Sequence, residues 1–344
     1  MRVGVLSLIW LTFFGSAALA ADGLAVSVLR AAVARSLPLL TSSAKISMEK
    51  RRQCFTCHHT ALPVMALTTA RERGFAIDEQ SVRQLMEFTA DFLTKNRTNY
   101  LAGKGQGGQA LTAGYALWTL ENGGRKPDGT TAAVTEYLLK WQSNLPHWKV
   151  QTVRPPTEES HFTVSYVALR GLKSFATEEQ LERVRRRFAT VRDWALQTPA
   201  HSTEDHVFRL RLLRVADASA ADVRDAAQKL RQLQRDDGGW AQLSDMKSDA
   251  YATATALVAL HQAGGVAATD AAYQRGLQWL LRAQQADGSW RVETRSTPIQ
   301  AYYESGYPHG EDQFISITAA GWATVALATA LPKDGTTGAR PGAN

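Results

Sequence analysis

The chain has 344 residues, 44% of them hydrophobic and 21% charged, enough to bury a substantial core as one large domain or two. Two cysteines exclude a disulfide framework as the source of its stability. The net charge of +7 is dispersed, and its one concentration, Arg183, Arg185, Arg186, Arg187 and Arg192, is interleaved with Glu178, Glu179 and Glu182, which reads as a solvated helix face and not a site for nucleic acid or anionic lipid.

At the N-terminus, Arg2, an apolar run from Val3 through Phe14 and small residues ending in Ala18-Leu19-Ala20 predict a signal peptide over 1–20, and so a periplasmic or secreted mature chain. That run is too short to span a membrane, and no later run is long enough. After a helix expected near 24–40 comes Cys54-Phe55-Thr56-Cys57-His58, the C-x-x-C-H spacing of c-type haem attachment. Two thiols at that spacing add across the vinyl groups of one porphyrin edge, and the adjacent imidazole becomes an axial ligand. A short-loop disulfide and a reactive dithiol are the other readings of the same string.

Further along, apolar-periodic segments predict six helices at 61–74, 109–120, 161–172, 206–215, 249–263 and 312–330. Five partners alternate with them, at about 79–95, 129–142, 178–197, 220–234 and 270–284, and Thr177 with Gln180 forms a capping-box signature at the start of the third. The last inner helix lacks a following partner, and the helix at 24–40 is expected to come round and supply it. The stretch 332–344 is glycine-rich and polar and reads as a disordered tail.

Internal repetition runs through this pattern. Gln142 and Trp148, Gln234 and Trp240, and Gln284 and Trp290 share one spacing, each glutamine ending an apolar-periodic segment. Two of the three copies turn on glycine, through Asp236-Asp237-Gly238-Gly239 and Asp287-Gly288-Ser289, while the first has Pro146-His147 instead. Arg275 through Gln284, followed by Asp287-Gly288-Ser289-Trp290, resembles the QW repeat of squalene cyclases and protein prenyltransferases; Leu230 to Trp240 is similar, and Ser248 to Leu257 resembles the inner helix that follows such a repeat. The resemblance implies an all-α fold, an α/α toroid of about six helical hairpins forming one domain over 21–331, with glutamine and tryptophan tying neighbouring hairpins. On that basis Asp236, Asp237 and Asp287 are turn and cap residues, not acids.

In such a toroid the inner helices run parallel, so the polar residues at their starts should meet at one mouth: Cys57, His58 and His59, Gln109, Glu159 and His161, Asp205 and His206, Asp249, and Asp312 with Gln313. His161, His206, His309 and His59 are then the candidates for a second axial ligand of a haem c held by Cys54, Cys57 and His58. Two elements of the resembling family's chemistry are missing: there is no Asp-x-Asp-Asp string, and both cysteines fall too early for a prenyltransferase zinc site. The leading expectation is therefore an exported haem c protein, serving electron transfer or haem-assisted oxidation with a redox partner protein or a hydrophobic small molecule. The alternatives are an isoprenoid-modifying enzyme with non-standard acids, Asp249 or Asp312, and a noncatalytic module binding a lipid, glycan or protein. Tyr115, Trp118, Phe162, Tyr166, Tyr251, Phe314 and Trp322 are expected to line a cavity or to pack the inner wall.

Overall fold

The computed structural model describes residues 24–51, 55–298 and 301–333. The expected signal peptide, Cys54 and the tail beyond Lys333 lie outside these residues. Thirteen α-helices and no strand are found among the described residues. In chain order they are α1 (Val26–Lys50), α2 (Leu62–Arg71), α3 (Glu79–Lys95), α4 (Arg97–Leu101), α5 (Gln109–Asn122), α6 (Gly129–Lys140), α7 (His161–Phe175), α8 (Leu181–Gln197), α9 (Thr203–Val215), α10 (Ala220–Gln232), α11 (Ala250–Gln262), α12 (Ala271–Ala283) and α13 (Gln313–Thr329).

Composition separates the helices into two layers. A helix that is apolar all round has to be covered on every side, and α11 and α13 are of this kind, with every residue from Ala250 to Leu260 and from Ile315 to Ala328 buried. By contrast α10 and α12 bury one stripe each, Val223, Ala226, Ala227 and Leu230 in the first and Ala272, Tyr273, Gly276, Leu277 and Leu280 in the second. The buried layer is a closed ring: α2 packs on α5, α5 on α7, α7 on α9, α9 on α11, α11 on α13, and α13 on α2 again. Inner helices approach closely where side chains are small; a Cβ on Gly114 of α5 would stand 2.7 Å from the backbone of Val167 on α7. The outer helices α3, α6, α8, α10 and α12 each bridge two neighbouring inner ones, and α1 bridges α13 and α2. The expected all-α toroid of six hairpins is the observed fold, with α1 as the sixth outer helix. That helix runs on to Lys50, past the expected end near residue 40 and through Pro38.

The repeated glutamine and tryptophan hold the outer layer. Trp148, Trp240 and Trp290 are fully buried and donate from Nε1 to the carbonyls of Leu138, Leu230 and Leu280 at 3.1, 2.9 and 2.8 Å. Gln234 Nε2 donates to Gly238 O in its own turn and to Ala272 O of α12, while Arg275 of α12 donates back to Gln234 Oε1. Gln284 repeats this with Gly288 O, with Ala32 O of α1, and with Arg35 of α1. The closing joint is thus built like an interior one. Gly238 and Gly288 adopt φ +89° and +91°, and a Cβ at either would collide with the carbonyl oxygen of Arg275 or Arg35, so glycine is required twice over. Asp237 and Asp287 accept from the backbone N–H groups of Gly239 and Ser289, the turn role expected of them. The capping box of Thr177 and Gln180 is also formed.

Candidate functional site

The starts of the inner helices gather at one end of the ring and their last turns at the other. Near the starts, Ser160 Oγ donates to Asp205 (2.7 Å), Thr163 of α7 to Glu204 of α9, and Tyr251 of α11 to Glu204. Near the ends, Arg170 of α7 donates to Glu121 of α5, and Lys173 of α7 to Val215 O of α9.

At the mouth, Cys57–Ala61 form a wide π-type turn leading into α2, capped by Thr56 Oγ1, which accepts from His59 N. Burial pushes the Cys57 thiol up to about 12, with the nearby Glu158 acting in the same direction. His58 and His59 share a 2.6 Å hydrogen bond between their Nδ1 atoms, one donating and the other accepting. Burial, with the Arg154 and Arg51 charges, holds His58 down to about 3, and burial holds His59 well below its usual range; both rings are neutral. His59 Nε2 is buried without a hydrogen-bond partner, and the Phe314 ring meets both imidazoles edge-on at 5.4 and 5.6 Å.

A cavity of about 220 Å³ opens beside His58, lined by Phe314, Ile315 and Thr318 of α13, by Tyr302 and by the loop from Arg154 to Glu158. That loop is closed by an antiparallel bridge between Arg154 and Glu158 and by a two-point ion pair of their side chains. The carboxylate of Glu158 is therefore committed to Arg154 and Thr152.

Glu204 is a buried acid with no cationic partner among the described residues. Ser202 and Asp205 form the capping box that starts α9, which fixes Glu204 at the second position of the helix, 3% exposed. Its two oxygens accept from Thr163 Oγ1 at 2.6 Å and Tyr251 OH at 2.8 Å. Burial pushes its carboxyl up to about 8; the two hydroxyl donors oppose that rise, and the charges of Glu159 and Asp205 reinforce it. The group is thus protonated at neutral pH.

The residues expected from sequence fall as follows. Asp249 caps α11 through Ala252 N, and burial raises it to about 6. Asp312 is occupied by Arg291 and by the backbone N–H of Thr294. Of the four proposed second ligands, only His59 meets His58. His161 accepts from Val150 N and stacks on His147, His309 bonds Ser289 Oγ, and His206 is lowered by burial beside Arg209. Among the expected aromatics, Phe314 lines the mouth cavity, whereas Trp118 packs against Tyr115, Tyr166 and Trp322 in the wall. Glu204 was missed because a carboxyl inside a capping segment reads as a solvated first-turn acid. Its signal was present: Glu204, Phe208 and Arg211 recur at i, i+4 and i+7, a single helix face.

Residues 201–309 match the model of the squalene-hopene cyclase C-terminal domain family. The chain is similar in fold to the type II terpene cyclase MstE from Scytonema: its apo structure aligns with a TM-score of 0.57 at 15% identity, covering 90% of this chain and 99% of the cyclase. A variant of MstE in complex with merosterolic acid A, its product, aligns with a TM-score of 0.56 at 15% identity, over 89% of this chain and 99% of that one. No curated protein matches the sequence. These likenesses correct the leading expectation of an electron-transferring or haem-assisted oxidising protein. The match over residues 201–309 favours the isoprenoid-modifying alternative, and the likeness to the solved structures is one of fold.

Proposed function

We propose that this chain modifies a hydrophobic isoprenoid by proton-initiated chemistry, with Glu204 as the proton donor. One observation carries the reading: a carboxyl buried in the ring wall, with no cation beside it to hold it ionised, has two hydroxyls donating to its oxygens, and burial raises it to about 8. Protonating a carbon–carbon double bond moves the Glu204 proton to one alkene carbon and leaves a cation at the other. The carboxylate formed keeps its hydrogen bonds from Thr163 and Tyr251, which strengthen as charge develops. The cation is stabilised by facing aromatic rings, of which Tyr251 stands beside the acid. It is quenched when a neighbouring carbon gives a proton to solvent water, and the Glu204 carboxylate regains one from solvent, so the reaction is an isomerisation or cyclisation without net oxidation. The apolar side of the mouth cavity, with Phe314, Ile315 and Tyr302, suits a hydrocarbon chain.

The reading is tested by incubating the protein with squalene and with geranylgeraniol in heavy water. A cyclised or isomerised product carrying one deuterium is expected, and Glu204→Gln, which keeps the shape and loses the acid, should lower its formation at least a hundredfold. Product formed equally by Glu204→Gln, or no product from either polyene, contradicts the reading.

A further inference from the structure

At the end of the ring away from the mouth, the last turns of α5, α7 and α9 enclose a second, larger cavity of about 720 Å³. Its charged lining is Arg170, Lys173, Arg211 and Arg214 against Glu121 and Asp217, an excess of two positive charges. Arg170 is paired with Glu121 and Lys173 with Asp217, which leaves Arg211 and Arg214 without a carboxylate among the described residues. Arg211 is only 4% exposed. Its Nη2 donates to Tyr166 OH at 2.9 Å, while Nε and Nη1 are buried with no hydrogen-bond partner. Trp118, Tyr166, Phe208 and Trp322 surround the guanidinium at 4.9–6.0 Å from their ring centres. Rings attract its charge but offer no acceptor in the plane where the N–H groups lie, so two donors of a buried cation stay unsatisfied. Leaving such donors empty is unfavourable, and an acceptor that reached them would relieve it. Tyr166 OH already receives Arg170 Nη1 as well as Arg211 Nη2, so it has no further capacity.

We propose that this cavity binds a small soluble oxyanion of the phosphate or diphosphate class, with Arg211 at its floor and Arg214 at its rim. A planar guanidinium presents paired N–H donors at the spacing of two phosphate oxygens. Arg170 and Lys173, held at the wall by their carboxylates, add positive potential without having to leave their partners. The site sits outside the acid chemistry of Glu204 and does not depend on it.

Isothermal titration of the full chain with inorganic pyrophosphate at low salt tests the proposal. One saturable site is expected, weakened about tenfold by Arg214→Gln, an exposed position whose loss leaves the core intact, and abolished by Arg211→Met. Absence of saturable binding overturns the proposal, as does equal affinity in wild type and Arg214→Gln. A flotation arm compares vesicles of phosphatidylcholine with vesicles containing phosphatidylglycerol. Capture by the anionic vesicles with no binding of free pyrophosphate overturns it too, because a membrane surface would then be what the charges recognise.

Discussion

Glu204 illustrates how one side chain takes its chemistry from its place. An exposed glutamate at the second position of a helix is an ordinary first-turn anion, favoured by the helix dipole. Here the same position is walled by α7 and α11, and desolvation outweighs both the dipole and two hydroxyl donors. The linkage has a definite sign: a carboxyl raised from 4.5 to about 8 in the folded state stabilises the protein fully below pH 4.5 and loses that contribution as pH rises through 8. The neutral histidine pair works the other way, contributing above 6.5 and losing it as pH falls, so the two effects separate above pH 6.5. Thermal melts between pH 6.5 and 8 should therefore show the wild type losing about 1.5 kcal/mol more than Glu204→Gln. Parallel curves would mean that Glu204 is ionised throughout. In the sequence, the C-x-x-C-H string was legible and its Cys57 and His58 do open the first inner element, but their burial and the His58–His59 bond were not. Those depend on Phe314 and Arg154, residues distant in the chain that only the closed ring brings near.

Elements repeat because each hairpin solves the same problem, an outer helix that must be tied to the next. The second and third copies were readable because the tie is made by a glutamine, a glycine turn and a tryptophan at fixed spacing. In the first copy the tie changes hands and so could not be read: Gln142 accepts from Lys149 N, and Arg187 of α8 reaches the carbonyls of Leu145 and Gln142 while stacking 4.1 Å over Trp148. The arginine had looked like part of a solvated face, yet it is buried. The joint between Gln284 and α1 gives a local prediction. Gln284→Ala should cost about 1–2 kcal/mol and speed hydrogen exchange in α1 specifically, whereas Gln234→Ala should act on α12. Exchange in α1 unaffected by Gln284→Ala would show that the closing joint is held by apolar packing alone.

For the molecule as a whole, the ring is what makes both ends chemically distinct. Parallel inner helices bring their capped starts to one mouth, with Ser160, Asp205, Glu204 and Tyr251 in contact, and their last turns to the other, with Arg170, Glu121 and Lys173. While the closed ring and the return of α1 were what the resemblance to the QW repeat implied, helix positions could be counted from the chain because they follow from helix periodicity. The acid could not, because its protonation is a property of the enclosed ring and not of any segment. The most direct test of that central claim is infrared difference spectroscopy of wild type against Glu204→Gln at pH 7. A protonated-carboxyl stretch present in the wild type, absent in the variant and lost as the pH is raised past 9 is the predicted result; a wild type that shows only the carboxylate bands at pH 7 would contradict it.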